Sequence, residues 1–285
     1  MIKIASMVGG PDLEMPALAV YSGGLRAAFC RLSQLGYDGV ELMIRRPDRL
    51  EGPQIRQWLD EYQLALAGIC TGALWGEDKL GLINSDLTVS QAAMSRFREF
   101  IDFAGYYFGT GTPINIGRVR GIGDPGQPEA TLQVATEAFR ELADYASPKG
   151  IRLLLEPITV NQVSFIITTQ DGIETVKRVG RPNFGLMLDV YHMNIEDVSI
   201  EDSFREAREY CWHVHVCDNN RRWPGSAHLD FRSIFAVLDE IGYSGFVGTE
   251  IQPWPDPDTA ARCSISSLRR FAPGRRPVPE NEVKQ

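Results

Sequence analysis

Histidine is scarce in this chain, four residues in 285, and no two of its five cysteines form a CxxC pair. Basic residues are also in deficit, 29 Lys and Arg against 37 Asp and Glu, for a net charge of −8. That balance argues against a nucleic-acid backbone as partner, because such binding draws on clustered Lys and Arg. Cys30, Cys70, Cys211, Cys217 and Cys263 are odd in number and irregularly spaced. They are expected as reduced thiols, mostly packed as small apolar side chains, in a cytoplasmic protein. No apolar run is long enough to span a bilayer, so no membrane partner is expected. The opening MIKIASMVGG alternates like a strand and lacks a charged region followed by a long apolar stretch, so no secretion signal is expected. A GxxxxGK[ST] phosphate loop is absent.

What is present is a repeating pattern. Hydrophobic residues make up 44% and charged residues 23%, ordinary for a globular chain. Short apolar runs recur at Ile2–Met7, Gly39–Met43, Ala65–Cys70, Pro113–Ile116, Ile151–Glu156, Gly185–Asp189, His213–Val216 and Phe246–Glu250. Amphipathic stretches separate them: Leu25–Leu35, Gln54–Tyr62, Ser90–Phe108, Ala130–Ala146, Gly172–Val179, Glu201–Tyr210, Phe231–Ile241 and Thr259–Phe271. Strands alternating with helices imply parallel pairing through right-handed crossovers. Gly36, Gly150 and Gly242 stand where a helix needs a left-handed residue to end it. Eight such units predict an α/β fold, a single (β/α)8 TIM barrel over residues 1–272. Residues 273–285 form a polar, proline-rich C-terminal tail.

In such a barrel, function gathers at the carboxyl ends of the strands. The last four apolar runs end in Glu156, Asp189, His215 and Glu250, each able to bind a cation. Three converging carboxylates without a counter-charge would repel by roughly 4 kcal/mol per pair at 4 Å and an effective dielectric of 20. A single Glu at a strand end is more often solvated or salt-bridged, but four consecutive strand tips of this kind point to one divalent metal. Three carboxylates and one imidazole, with no thiolate, suit Mn²⁺, Mg²⁺ or Co²⁺ better than a structural zinc, and Mn²⁺ is the first expectation. His213 is expected as a satisfied core side chain, His228 as structural, and Glu41 as a hydrogen-bonding group inside the barrel mouth.

These residues carry a resemblance. Asp189-Val-Tyr-His-Met-Asn-Ile-Glu196, His215-Val-Cys-Asp-Asn-Asn-Arg221 with Pro224-Gly225, and Ile241-Gly-Tyr-Ser-Gly245 leading to Thr249-Glu250 resemble the xylose-isomerase-like barrels. Within these, the chain is most similar to the D-tagatose and D-psicose (ketose) 3-epimerases. The intervals from Glu156 to Asp189, His215 and Glu250, 33, 26 and 35 residues in turn, look like that family's spacing. The resemblance is specific from Leu154 to Trp254 and general in the first half, where it rests on GYDGVEL. It implies that Glu156, Asp189, His215 and Glu250 are metal ligands, that Glu156 and Glu250 are the acid/base pair, and that His192 and Arg221 bind sugar oxygens. Where the epimerases carry a second Glu, six residues beyond the strand-five ligand, this chain has Gln162. The substrate's end there is therefore expected to differ.

The implied reaction is isomerisation or epimerisation of a ketose or keto-sugar derivative through a metal-stabilised enediolate, with base and acid on opposite faces of the substrate. The alternative on the same site is a lyase, a dehydratase, decarboxylase or bond-cleaving enzyme acting on a 3-oxo sugar or sugar acid. A DNA-repair endonuclease would need more histidines and a basic face. A non-catalytic binding barrel would not need the paired acid and base. Arg45, Arg46, Arg118 and Arg120 follow strands two and four and are candidates for an anionic substrate group, with ion pairing among loops as the alternative. Trp75 and Trp254 are candidate pocket walls, with plain loop packing as the alternative. A homodimer or homotetramer is the expected assembly.

Overall fold

The computed structural model describes residues 2–14 and 18–272, and the expected tail, 273–285, lies outside the described residues. Each of the eight apolar runs forms a strand: β1 (Lys3–Gly9), β2 (Gly39–Met43), β3 (Ala65–Cys70), β4 (Pro113–Ile116), β5 (Arg152–Leu155), β6 (Phe184–Asp189), β7 (Cys211–Val216) and β8 (Phe246–Thr249). They pair in parallel in chain order, and β8 pairs back onto β1, so the sheet closes. A two-residue strand, Tyr21–Ser22, adds to the end of β1. The architecture is a (β/α)8 barrel.

Eight helices cover it: α1 (Leu25–Leu35), α2 (Gly52–Glu61), α3 (Leu87–Tyr107), α4 (Pro128–Ala146), α5 (Thr169–Val179), α6 (Ile200–Ala207), α7 (Phe231–Glu240) and α8 (Pro257–Phe271). Several begin earlier than the apolar pattern suggests, because capping rather than hydrophobicity sets their first turn. Asp86 accepts from the Thr88 N–H ahead of α3, and Thr168 and Asp171 form a reciprocal capping box ahead of α5. Pro128 opens α4, where its missing N–H is no loss. Gly36, Gly150 and Gly242 adopt φ of 83°, 68° and 70°, the left-handed geometry expected of them. Two short helices, Gly72–Gly76 and Val190–Glu196, were not predicted; both sit directly on strand ends at the barrel mouth.

Side-chain alternation sorts the strands into two layers. In β7, Val214 and Val216 are fully buried in the hydrophobic core. His213 and His215, on the alternate face, reach the β2 residue Glu41. Strands β2 and β7 are not neighbours in the ring, so that contact crosses the barrel interior. The inner layer is therefore polar toward the mouth, with Ser6 bonded to Thr249, and Thr71 bonded to Asn115.

Candidate active site at the barrel mouth

Glu156 directly follows β5, its N–H donating to Ile116 O at 3.1 Å. The carboxylate fits because Gly117 stands opposite: a Cβ there would lie 2.8 Å from Glu156 Oε2. Arg120 holds the chain from beneath. Fully buried, it donates to the carbonyls of Gly117, Ile166 and Glu156.

Asp189 ends β6 and caps the short helix after it, accepting from the Tyr191 N–H at 3.0 Å. His192 lies one turn on, with Nε2 3.7 Å from Asp189 Oδ2 and 3.8 Å from Glu156 Oε1. Glu250 follows β8 and points at the same place. Arg221 Nη1 donates to both Asp189 Oδ2 and Glu250 Oε2 at 2.8 Å, and Nη2 lies 3.2 Å from His192 Nε2. The guanidinium stacks 3.9 Å over the Tyr191 ring.

Arg221 keeps this position because its loop is tied down. Asp218 is fully buried and accepts from the backbone N–H groups of Asn219, Gly225, Ala227, His228 and Leu229. His228 contributes to that fastening through its backbone.

His215 completes the group. Its Nε2 faces Glu41 Oε2 at 2.8 Å, and His213 Nε2 faces the same oxygen at 2.9 Å. His215 Nδ1 is buried and has no hydrogen-bond partner among the described residues. Ligand atoms of Glu156, Asp189 and His215 lie within 4.8 Å of one another. A buried ring nitrogen with no hydrogen-bond partner, beside converging carboxylates, fits a divalent cation, which would take the place of its proton. Glu41 then fixes the imidazole from behind, as carboxylates do for ligating histidines.

The electrostatics of this cluster have separable causes. Burial, then Glu250 and Asp189, push the Glu156 carboxyl up to about 8, against the lowering pull of His215 and Arg120. Burial opposes charge on His215, but Glu41, with Glu250 and Glu156 behind it, carries that imidazole up to about 10. Burial pulls His192 down to about 3, outweighing the attraction of Asp189, so its ring is neutral. Burial would raise Asp189, but Arg221, His192 and His215 hold it below the usual carboxylate range.

A cleft of about 530 Å³ opens above the cluster. It is lined by Glu156, Gln162, His192, Arg221, Glu250 and Arg118, with Tyr191, Asn115 and Gly117 among the others. That size suits a small polar molecule. A larger groove, about 750 Å³, lies along α3 between Glu99 and Tyr107 and includes none of these residues. Trp75 and Trp254 are not among the residues lining the cleft. Trp75 faces Gly81, and Trp254 stacks on Trp223 with ring centroids 5.8 Å apart.

The loop arginines separate in the same way. Arg45 is engaged by Glu14, Glu77 and Asp78, and Arg46 by Asp48. Arg120 is the buried support described above. Arg118 alone of these four lines the cleft. Tyr191, Asn115 and Gly117 line the cleft as well, with no role expected of them from sequence. Their signal was position: polar, aromatic or glycine residues at the tips of β4 and β6.

None of the five cysteines is paired, and Cys70, Cys211 and Cys217 are buried. No helix among the described residues is long and apolar enough to cross a membrane.

A probable ketose 3-epimerase of a Synechocystis species is 26% identical over 93% of this chain and 90% of its own length. An L-ribulose 3-epimerase of a Methylomonas species is 28% identical over 79% of this chain and 77% of its own. Among solved structures, a D-psicose 3-epimerase with D-tagatose from Clostridium cellulolyticum H10 superposes with a TM-score of 0.78. At 20% identity over 95% of this chain and 100% of that one, it is a likeness of fold. Residues 29–271 match the xylose isomerase-like TIM barrel family as a whole, and the chain belongs to that family.

Proposed function

We propose that this chain is a divalent-metal-dependent sugar isomerase/epimerase of the ketose 3-epimerase type, with Glu156 and Glu250 as its acid/base pair. The class is supported by the two epimerases similar to it over most of their length. Metal dependence is supported chiefly by the partnerless Nδ1 of His215 beside Glu156 and Asp189. Glu156, Asp189, His215 and Glu250 would hold the ion, and that oxygen-rich set suits Mn²⁺, Mg²⁺ or Co²⁺, of which Mn²⁺ is the one proposed. When bound, it would polarise a ketone oxygen and offset the negative charge developing there.

The chain's own residues supply the rest. Glu156 and Glu250 sit on strands three places apart in the ring. They can approach a substrate carbon from different sides, one removing its proton and the other returning one. Arg221 cannot act as a base, since Asp189 and Glu250 hold its charge in place. Its role is to donate hydrogen bonds to sugar oxygens. His192, neutral and beside it, adds a hydrogen-bonding group without adding charge. Gln162 meets the substrate without charge. The lyase alternative gains nothing from the relatives described, both of which are epimerases.

The test is proton exchange. D-fructose and D-psicose are incubated in D₂O with Mn²⁺-loaded protein, and deuterium at the carbon beside the ketone is followed by NMR. Glu156→Gln is expected to slow exchange by about 10²–10⁴-fold with its melting temperature maintained. Exchange at the wild-type rate in that variant would sink the acid/base assignment. Full activity after chelation would sink the metal.

A further inference from the structure

Of Arg45, Arg46, Arg118, Arg120 and Arg221 at the mouth of this barrel, four have their acceptors. Arg45 has three carboxylates, Arg46 has Asp48, Arg120 has backbone carbonyls, and Arg221 has Asp189 and Glu250. Arg118 is the exception. It is half-buried and lines the cleft. Its guanidinium makes no hydrogen bond or ion pair to any described residue, and Nη2 would lie 3.6 Å from a Cβ placed on Gly76. Two other cleft residues, Gln162 and Tyr191, also have side-chain polar groups with no partner among the described residues. All three can donate hydrogen bonds; an arginine fork is shaped for a planar or tetrahedral oxyanion.

We propose that Arg118 receives an anionic group of the substrate, a carboxylate or a phosphate. The substrate class is then a keto-sugar acid or a ketose phosphate rather than a neutral ketose. This rests on the reading of the cleft as a ketose site and deepens it. Glu156, Asp189 and Glu250 repel an anion, so the charged group belongs at the end of the molecule away from them, with the ketone beside the carboxylates. Gln162 fits the same picture, because a carboxylate at that position would repel the anion and a carboxamide does not.

Calorimetric binding of three unreactive probes, D-glucitol, D-gluconate and D-glucitol 6-phosphate, tests this on Mn²⁺-loaded and on chelated protein. At least one anion is expected to bind about ten- to a hundredfold more tightly than glucitol. Which anion gains distinguishes carboxylate from phosphate. Arg118→Gln is expected to bring the ratio to about one, with Arg118→Lys intermediate. Equal binding of all three probes overturns the proposal. So does a preference that survives Arg118→Gln, which would place the anion on the ion instead. Proton exchange on D-fructose, D-fructuronate and D-fructose 6-phosphate then separates the two readings. If no sugar exchanges while the binding ratio stands, the catalytic reading falls and this one holds. If fructose exchanges and the ratio is one, the reverse is true.

Discussion

In the loops that follow β1, β2 and β3, charges satisfy one another: Arg45 meets Glu14, Glu77 and Asp78, and Arg46 meets Asp48. At the tips of β5 to β8 they are crowded instead: three buried carboxylates converge, Arg221 pairs with two of them, and His192 and His215 are the imidazoles beside them. Both regions are rich in acids and arginines, and composition alone does not separate them. The difference lies in compensation. The outer pairs, part-exposed to buried, each find an opposite charge within the chain, at little cost and little gain where they are exposed, whereas buried groups that cannot cancel must recruit a partner from outside the chain. A charge left over after the local pairs are drawn marks where chemistry is done.

The contrast can be broken most severely at Asp189. Asp189→Ala removes a cluster carboxylate and leaves Arg221 with one of its two buried partners. Loss of about 3–5 kcal/mol is expected from urea unfolding, together with loss of Mn²⁺ binding by calorimetry. A change as small as that of a surface pair would erase the distinction between the two regions.

The second break uses pH. The Glu156 carboxyl stands at about 8 in the folded chain against an ordinary 4.5. Because the folded value is the higher one, its contribution to stability is complete below about 4.5 and is lost as pH rises through 8. His215, also raised, extends the loss toward 10. Chelated protein is therefore expected to lose on the order of a few kcal/mol across that window in thermal melts, and Mn²⁺ to flatten the slope. Identical slopes with and without the ion would contradict the cation reading.

Glu41→Gln sharpens the comparison, since Glu41 belongs to the first half of the chain yet serves the second. It is expected to weaken Mn²⁺ binding about 10- to 100-fold in a chelator competition. At the small end, Arg46→Ala is expected to leave the urea midpoint and ion affinity unchanged. A measurable loss there would show that the outer pairs do more than cancel.

Much of this was legible in the chain itself. Period-two and longer periodicities are local, so eight strands and eight principal helices could be placed before any coordinates. The strand-tip residues stood out because each interrupts an apolar run. Long-range facts were harder. That Glu41 serves His215, 174 residues away, follows only from the ring closing and bringing β2 across from β7. Arg118 and Arg120 are two residues apart, and nothing in Arg-Val-Arg says which turns into the cleft and which goes beneath Glu156. A single helical turn over Arg118–Arg120 decides it. Trp75 and Trp254 suggested a sugar-binding wall by residue type alone, and sequence does not reveal that Trp75 lies beside Gly81 and Trp254 on Trp223. Helix starts were misplaced where a cap, rather than an apolar residue, defines the first turn.

Glu41 Oε2 touches two histidines whose strand arrives late in the chain, so the cluster is assembled from both ends of the polypeptide at once. Neither half of the barrel contains a finished site. Ion affinity thereby becomes a gauge of circular closure: a fragment ending before β7, or a chain whose last strand has not yet docked on its first, has the parts and not the pocket. On the proposed reading, the ion site would be complete only once the final strand is in place.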